Sequence, residues 1–341
     1  MKEDNKKYKV GIIGCGTIFK RHLEAIRENS DSYALVSVCD TNEERLHHLS
    51  KEHDVSGYLD YKDMLAKEKE MNTVVIATPN SLHFEQAIES LNSGKDVFIE
   101  KPIDFSAERV AKIQNTADQL GKNAYSILQV RYNPTISLVR HALEKEFLGD
   151  IRSVSLVQRW QRPLDYFETW RGDIKVGGRT LYEVGIHYMD IMQLLFGPPS
   201  VHTTKTFNNK HMSIDFEDTV FSILEFPSGS SGSLEVTVAA EPHNLECSIS
   251  ALGSEGFIKI GGKALDKIED IKLFSKAAIK EFSNLQKTAV NSIEPNSYGV
   301  YAGSCPNHPT LYREVAAGRG ITVGDSINVV RFIEDVYDKH V

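Results

Sequence analysis

The sequence predicts an α/β protein of two domains, in which a doubly wound parallel sheet comes first and an α+β domain with an open, mostly antiparallel sheet follows. Three observations support this fold class. The chain has 341 residues, more than the roughly 250–300 at which a single core stops growing. From residue 9 to about 124, short β-branched runs alternate with helical segments, and later runs are separated by Gly, Pro and Ser turns. We therefore place the first domain at residues 1–124 and the second at residues 125–341.

The first region has the pattern of consecutive parallel βαβ units. Its β-branched runs predict strands at residues 10–13, 35–39, 73–77, 96–99 and 123–128. Apolar residues at helical spacing predict helices at residues 20–28, 43–52, 81–93 and 107–120. This alternation is what builds a parallel sheet.

The second region changes character after residue 125. It predicts helices around residues 134–146 and 181–196 and a β-rich stretch at residues 151–161. Antiparallel strands are predicted at residues 219–226, 232–239, 245–251 and 256–260. A last helix at about 325–338, with Asp325 as its N-cap, could pack back on the first domain.

Composition excludes several classes of protein. The chain is 41% hydrophobic and 25% charged, as in globular proteins, and its net charge of -8 argues against nucleic acid or anionic membrane as a partner. Residues 1–9 lack the apolar segment of a secretory signal, and no stretch is long enough to span a bilayer, so we expect a cytoplasmic protein. The four cysteines, Cys15, Cys39, Cys247 and Cys305, form no C-x-x-C pair, and we predict no metal site.

A glycine turn follows the first strand and predicts a dinucleotide site. Gly14 permits the tight turn, while Gly16 lacks a Cβ and lets a pyrophosphate approach the helix N-terminus, although Phe19 replaces the usual third glycine. Asp40 ends the second strand, where a carboxylate binds the ribose diol, and Thr41 and Asn42 offer no arginine for a 2′-phosphate, so NAD is favoured over NADP. The residues expected to bind the cofactor here are Gly14, Gly16, Thr17, Ile18 and Asp40.

Polar residues also follow the next two predicted strands. Loops at the carboxyl ends of parallel strands face the ligand crevice, so Thr78, Asn80 and His83 are expected beside the ribose and nicotinamide, although His83 could instead cap its helix. Glu100 and Lys101 end the following strand, and the proline after them gives a stiff turn that projects a cation into the crevice.

Three ordered motifs resemble the Gfo/Idh/MocA oxidoreductase family over nearly the whole chain. They are A-T-P-N-x-x-H from Ala77, E-K-P from Glu100 and G-x-H-x-x-D from Gly185. The resemblance implies a Rossmann domain and an NAD-dependent dehydrogenase that oxidises a ring hydroxyl of a sugar, with Lys101 stabilising the alcohol oxygen. It also implies that Glu100, Lys101 and Gln129 contact the cofactor, and that the chain forms a homodimer or homotetramer.

The third motif lies on a predicted helix with its polar residues on one face. Glu183, His187 and Asp190 are spaced i, i+4 and i+7, so Glu183 and His187 are expected to reach one hydroxyl, whose proton the neutral imidazole takes. Two residues depart from the family pattern. Glu183 stands where Asp or Asn is common, and Arg179 interrupts a run of glycines.

The segments flanking this helix predict the substrate. Arginines and lysine at positions 152, 159, 162, 171, 175 and 179 outnumber the acidic residues there, which suits an anionic substrate, and nearby aromatic rings could stack on a base or sugar. We expect substrate contacts from Arg131, Tyr132, Tyr166, Trp170, Arg171, Asp190 and His308.

Residues 129–134 and 166–173, with residues 307–309 and 311–320 near the end, resemble the family branch that acts on nucleotide-linked sugars, which includes UDP-N-acetylglucosaminuronate 3-dehydrogenases. Two alternatives stay open. An inositol or free-sugar dehydrogenase would not need the arginines. A regulator that senses NAD without turnover should have lost Lys101 or His187, and this chain retains both.

Overall fold

A computed structural model describes residues 8–290 and 307–340, so Cys305 lies outside the described residues. The described residues divide into two compact units, the first made of residues 8–128 and 307–327 and the second of residues 129–290 and 328–340. This division differs from the expected one at the C-terminus. Residues 307–327 return to the first unit, whereas the final helix belongs to the second.

The strands are β1 Tyr8–Ile13, β2 Tyr33–Cys39, β3 Ser56–Tyr58, β4 Thr73–Ile76, β5 Asp96–Ile99, β6 Ala124–Ser126, β7 Ile151–Arg159, β8 Ser200–Phe207, β9 Thr219–Glu225, β10 Ser231–Thr237, β11 Glu246–Gly253, β12 Gly256–Gly261 and β13 Lys267–Leu273. The α-helices are α1 Phe19–Glu28, α2 Glu43–His53, α3 Tyr61–Lys67, α4 His83–Asn92, α5 Ala107–Leu120, α6 Pro134–Glu144, α7 Leu164–Phe167, α8 Ile186–Phe196, α9 Lys276–Val290, α10 His308–Ala316 and α11 Ile327–Asp338.

The first unit contains a parallel sheet in the order β3-β2-β1-β4-β5-β6. Strand order reverses between β1 and β4, which is the switch point where open α/β sheets bind ligands. All four residues of β4 are buried, because helices cover both faces of such a sheet. The predicted doubly wound Rossmann domain is confirmed.

Helix α10 belongs to the first unit because its aromatic face packs on the sheet. The ring of Tyr312 lies 5.0 Å from those of both Tyr33 and Phe98, and the Tyr33 hydroxyl donates to the backbone oxygen of Tyr312 at 2.7 Å. A late segment of the chain thus contributes side chains to the first unit.

The second unit contains a sheet in the order β13-β12-β11-β7-β10-β9-β8. Its ladders are antiparallel except for β7 with β10, so the predicted mostly antiparallel sheet is confirmed. Side chains of β9 alternate between buried and exposed positions, and α8 packs against β7. Within residues 8–290 and 307–340, no helix has both the length and the apolar character that a bilayer crossing requires.

Candidate active site

The turn after β1 has the geometry of a phosphate-binding loop. Gly14 has a φ of +91°, and a Cβ there would lie 2.5 Å from the carbonyl oxygen of Ala77. At Gly16 a Cβ would meet no atom within 4 Å, so open space faces the backbone just before α1 begins. The turn therefore fits the close approach of a dinucleotide pyrophosphate. Thr17 and Ile18 complete it.

Asp40 lies beside this turn and is fixed by the backbone. Its carboxylate accepts the N–H groups of Cys15 and Asn42, each at 2.8 Å, which suits a carboxylate that must hold a ribose. The Arg45 guanidinium lies 3.2 Å from the same carboxylate. Asn42 caps α2 by accepting the Arg45 N–H, and this places Arg45 in the first turn of the helix. Thr41 and Asn42 offer no arginine, as the sequence indicates, but Arg45 in the helix that follows brings one to Asp40.

The Asp40–Arg45 pair leads to a prediction about cofactor choice. We expect kcat/KM for NAD to exceed that for NADP at least about tenfold, because a 2′-phosphate would meet the Asp40 carboxylate. Arg45 offsets part of this repulsion, so Arg45→Ala should widen the preference and Asp40→Ser should narrow it. Steady-state kinetics with both cofactors measure the ratio. An unchanged ratio in Asp40→Ser would contradict the assignment.

His83 bridges two loops within the first unit. Its ring nitrogens lie 2.8 Å from the Pro102 carbonyl oxygen and 2.9 Å from that of Thr78, and the side chain is buried. Burial lowers the pKa of His83. The predicted cofactor contact is corrected to this bridging position, and the side chain does not cap α4 either. Asn80 lies buried in the short 3₁₀ turn before α4.

Glu100 directly follows β5 and is surrounded by buried partners from other elements. Its Oε1 lies 3.1 Å from His22 Nε2 and 3.4 Å from His308 Nε2, while Oε2 accepts the Lys101 N–H at 3.2 Å. Burial would raise the pKa of Glu100, but the hydrogen bonds to both histidines hold it well below its ordinary value. His308 is only 2% exposed, so its predicted substrate contact is corrected to a contact with Glu100.

Lys101 follows Glu100 at the carboxyl end of β5, in the position the sequence predicted. The Lys101–Pro102 peptide is cis, and the Lys101 side chain is half-buried. The strand end and the two hydrogen bonds of His83 therefore fix the backbone on either side of this lysine.

In the second unit, the predicted regular helix begins instead with a π-helical turn, Leu181–Gly185, and α8 follows it. Glu183 lies within this π turn, whereas His187 lies in the first turn of α8 that follows it. An arginine at position 179, where the family often has glycine, has a structural role. Its guanidinium pairs with Glu217 at 2.6 Å and stacks on Tyr337. The Tyr337 hydroxyl in turn accepts the Leu181 N–H at 3.0 Å and anchors the π turn.

Glu183 forms a cluster with three other predicted site residues. Its Oε1 accepts from the Tyr166 hydroxyl at 2.6 Å and from Arg171 Nε at 3.0 Å. The Arg171 guanidinium stacks on the rings of Tyr166 and Trp170, and burial raises the pKa of Tyr166. These contacts favour a structural role for the Glu183 carboxylate over the predicted contact with the substrate hydroxyl.

Arg131 and Asp190 were both predicted to contact substrate, and they bind each other. Arg131 Nε and Nη2 donate to the two carboxylate oxygens at 2.7 and 2.6 Å, and Asp190 is 1% exposed. The pair fastens the 3₁₀ turn Gln129–Tyr132 to α8, whose second residue is His187. Gln129 and Tyr132 thus lie on the turn that this ion pair holds, and their predicted ligand contacts stay predictions.

The local excess of basic residues largely disappears in three dimensions. Arg159 pairs with Glu235 and Glu246, Arg171 with Glu183, and Arg179 with Glu217. All four glutamates lie outside residues 152–179, so the predicted basic patch is smaller than the sequence indicated. Arg162 makes cation–π contacts, because its guanidinium stacks on the rings of Trp160 and Tyr166.

Known proteins resemble the chain over both units. The family model for an oxidoreductase family with an NAD-binding Rossmann fold matches residues 8–127, and the GFO/IDH/MocA C-terminal domain model matches residues 136–259. The WlbA dehydrogenase of Bordetella pertussis, crystallised with NADH and UDP-GlcNAcA, matches with a TM-score of 0.88 at 29% identity, covering 98% of this chain and 96% of that one.

Sequence comparison adds relatives that act on other alcohols. Trans-1,2-dihydrobenzene-1,2-diol dehydrogenase of Bos taurus is 25% identical over 252 residues, 73% of each chain. Inositol 2-dehydrogenase of Rhizobium meliloti (strain 1021) is 27% identical over 198 residues, 58% of this chain and 57% of that one. The relatives therefore share a dehydrogenase chemistry and differ in substrate.

Proposed function

Because the chain belongs to the Gfo/Idh/MocA oxidoreductase family, we propose that it oxidises a ring hydroxyl of a nucleotide-linked sugar, at C3 of a UDP-N-acetylhexosaminuronate. Membership of the family confirms the predicted enzyme class and the predicted NAD cofactor. The substrate is the new part of the proposal. The observation that carries it is the likeness to WlbA along 98% of this chain.

In the proposed reaction the cofactor-binding residues, Lys101 and His187 have separate roles. Gly14, Gly16 and Asp40 hold NAD, which accepts the hydride when bound. The Lys101 ammonium binds the alcohol oxygen and stabilises the negative charge that develops on it. The His187 imidazole takes the hydroxyl proton. This division requires both groups to act on one hydroxyl.

Side chains of the second unit offer the features that a UDP-sugar acid needs. Two guanidinium groups, those of Arg162 and Arg171, stack on the Tyr166 ring, and Trp170 lies against Arg171. A guanidinium binds carboxylate or phosphate by two hydrogen bonds, and an aromatic ring stacks on a base or sugar face. We place the anionic part of the substrate at this cluster of Arg162, Tyr166, Trp170 and Arg171.

An inositol or free-sugar dehydrogenase is the second candidate. It is supported by the 27% identity to inositol 2-dehydrogenase and by the pairing of Arg159, Arg171 and Arg179 with glutamates, which leaves less positive charge for an anion.

A ligand panel distinguishes the two candidates. With NADH present, UDP-N-acetylglucosaminuronate should raise the melting temperature by several degrees, since ligand at a hundred times Kd adds about 2.7 kcal/mol of stability. UDP-N-acetylglucosamine, which lacks the carboxylate, is the matched control and should stabilise less. Stabilisation by myo-inositol alone would overturn the proposal in favour of the second candidate. Turnover is then followed with NAD by absorbance at the NADH band, with NMR of the keto product.

The same proposal includes a homodimer or homotetramer. Phe221 and Ile223 on β9 and Leu252 on β11 are 43%, 57% and 45% exposed, which gives this unit apolar side chains for an isologous contact.

A further inference from the structure

Four buried side chains of the first unit form a hydrogen-bonded chain that ends on Glu100. The Tyr312 hydroxyl lies 2.8 Å from His22 Nδ1, and His22 Nε2 lies 3.1 Å from Glu100 Oε1. His308 Nε2 approaches the same oxygen at 3.4 Å. The side chains come from α1, from the end of β5 and from α10, elements that are far apart in sequence.

The direction of the hydrogen bonds follows from Tyr312. In the described part of the chain, its hydroxyl has His22 Nδ1 as its hydrogen-bond partner, so donation to that nitrogen is what keeps a buried O–H satisfied. A neutral His22 then carries its hydrogen on Nε2, which points that N–H at Glu100. Burial lowers the pKa of His308, so His308 also donates to Glu100 as a neutral imidazole.

A metal ion is the competing explanation. One donor atom from each of His22, Glu100 and His308 lies within 4.8 Å of the others, close enough to share an ion. A metal needs the lone pair of His22 Nε2, and the hydrogen that Tyr312 directs onto this nitrogen occupies it. Binding a metal would also leave the buried Tyr312 hydroxyl without an acceptor, at a cost of about 1–3 kcal/mol. The geometry therefore favours hydrogen bonds over a metal.

We propose that Tyr312, His22 and His308 are positioning residues that hold Glu100 as a fixed carboxylate and thereby fix the strand end that carries Lys101. The fixed Glu100 carboxylate in turn restrains the backbone of Lys101, because its other oxygen accepts the Lys101 N–H at 3.2 Å. The inference rests on the proposed role of Lys101 and adds a reason why α10 belongs to the dinucleotide unit.

The carboxylate has several titratable neighbours. His22 faces it from α1, His308 and Tyr312 from α10, and His83 from α4. The charge of Arg21 acts on His308 and lowers its pKa further. Without the histidine donors, burial would raise the pKa of Glu100 and favour the neutral acid, so the restraint should fail first at low pH.

The test compares two substitutions at His22. His22→Leu removes the donor to Glu100, whereas His22→Gln keeps an N–H near the position of Nε2. We expect His22→Leu to lower kcat about tenfold to a hundredfold and to leave NADH affinity little changed. The low-pH decline in its plot of kcat against pH should move to higher pH. His22→Gln should recover most of the loss. Equal kcat values and equal pH profiles in the two variants would overturn the proposal.

A second pair of variants removes only a hydroxyl group and is therefore less prone to misfold. Tyr312→Phe and Tyr33→Phe each delete one buried hydroxyl from the same aromatic cluster, but the Tyr33 hydroxyl donates to a backbone oxygen and does not reach His22. Only Tyr312→Phe should change kcat and the pH profile. The proposal fails if the two variants behave alike.

A readout independent of activity separates this inference from the proposed function. Long-range ¹⁵N NMR of histidine-labelled protein should show His22 as the Nε2–H tautomer in the wild type and in Tyr33→Phe, and a mixture in Tyr312→Phe. A wild-type Nδ1–H tautomer, or one equivalent of bound Zn²⁺ that His308→Gln releases, would overturn the inference. Full activity in Lys101→Ala would instead overturn the proposed role of Lys101.

Discussion

Replacing Lys101 with alanine should lower kcat about a hundredfold to a thousandfold while NADH still binds. The ammonium is proposed to stabilise charge on the alcohol oxygen, and loss of one such donor typically costs that much. NADH affinity should change little, because Gly14, Gly16 and Asp40 lie at other strand ends of the same sheet. Stopped-flow hydride transfer and NADH fluorescence titration measure the two quantities separately.

Lys95→Ala is the matched control for this variant. Lys95 precedes β5 and Lys101 follows it, so the two lysines flank the same buried strand at opposite ends. Lys95 donates to the backbone oxygen of Met71 and is only half-buried, so its removal should affect stability and leave kcat near the wild-type value. If Lys101→Ala turns over as fast as Lys95→Ala, the lysine has no part in the chemistry.

Much of the fold could be predicted from sequence because most of its strands are strongly apolar. The runs that became β1, β4 and β5 are almost wholly buried, and their residues identified them directly. The missed strands β3, β8 and β13 lie at sheet edges and mix polar with apolar residues, as β13 does with Lys-Ile-Glu-Asp-Ile-Lys-Leu. These edge strands form by pairing with a neighbouring strand, and that pairing is not visible in their own sequence.

The site could be predicted as far as its motifs reach. Gly14, Asp40 and Lys101 were found because strand ends and glycines have a local signature, and they lie at the ends of β1, β2 and β5 as expected. Arg45 lies outside the motif that ends at Asp40, although Asn42 as an N-cap directly after that strand is a sequence signal that places Arg45 in the first turn of a helix beside it.

Pairing between distant residues was beyond a sequence reading. Counting charges along one segment overestimated the basic patch, since Glu217, Glu235 and Glu246 come from later strands and loops. His308 was assigned to substrate for the same reason, because nothing near it in sequence points to Glu100. Both errors concern side chains whose partners are distant in sequence and are brought close only by the tertiary fold.

Replacing His187 with glutamine should lower kcat about a hundredfold to ten-thousandfold, the usual range for loss of a general base. Glutamine keeps a hydrogen-bonding group of similar size but accepts no proton. In the wild type, kcat should fall as pH decreases, because only the neutral imidazole can take the hydroxyl proton. The residual rate of His187→Gln should lack that dependence. His202→Gln is the control and should retain wild-type kcat, because the His202 side chain is 54% exposed on the edge strand β8.

The double variant Lys101→Ala/His187→Gln tests whether the two groups act together. If the ammonium and the imidazole serve one hydroxyl in one transition state, each single change already removes much of what the other residue contributes. The double variant should then lose much less than the product of the two single losses. Losses that multiply would mean that the two residues act independently, and the proposal that they share a substrate oxygen would have to be abandoned even if NAD binds as expected.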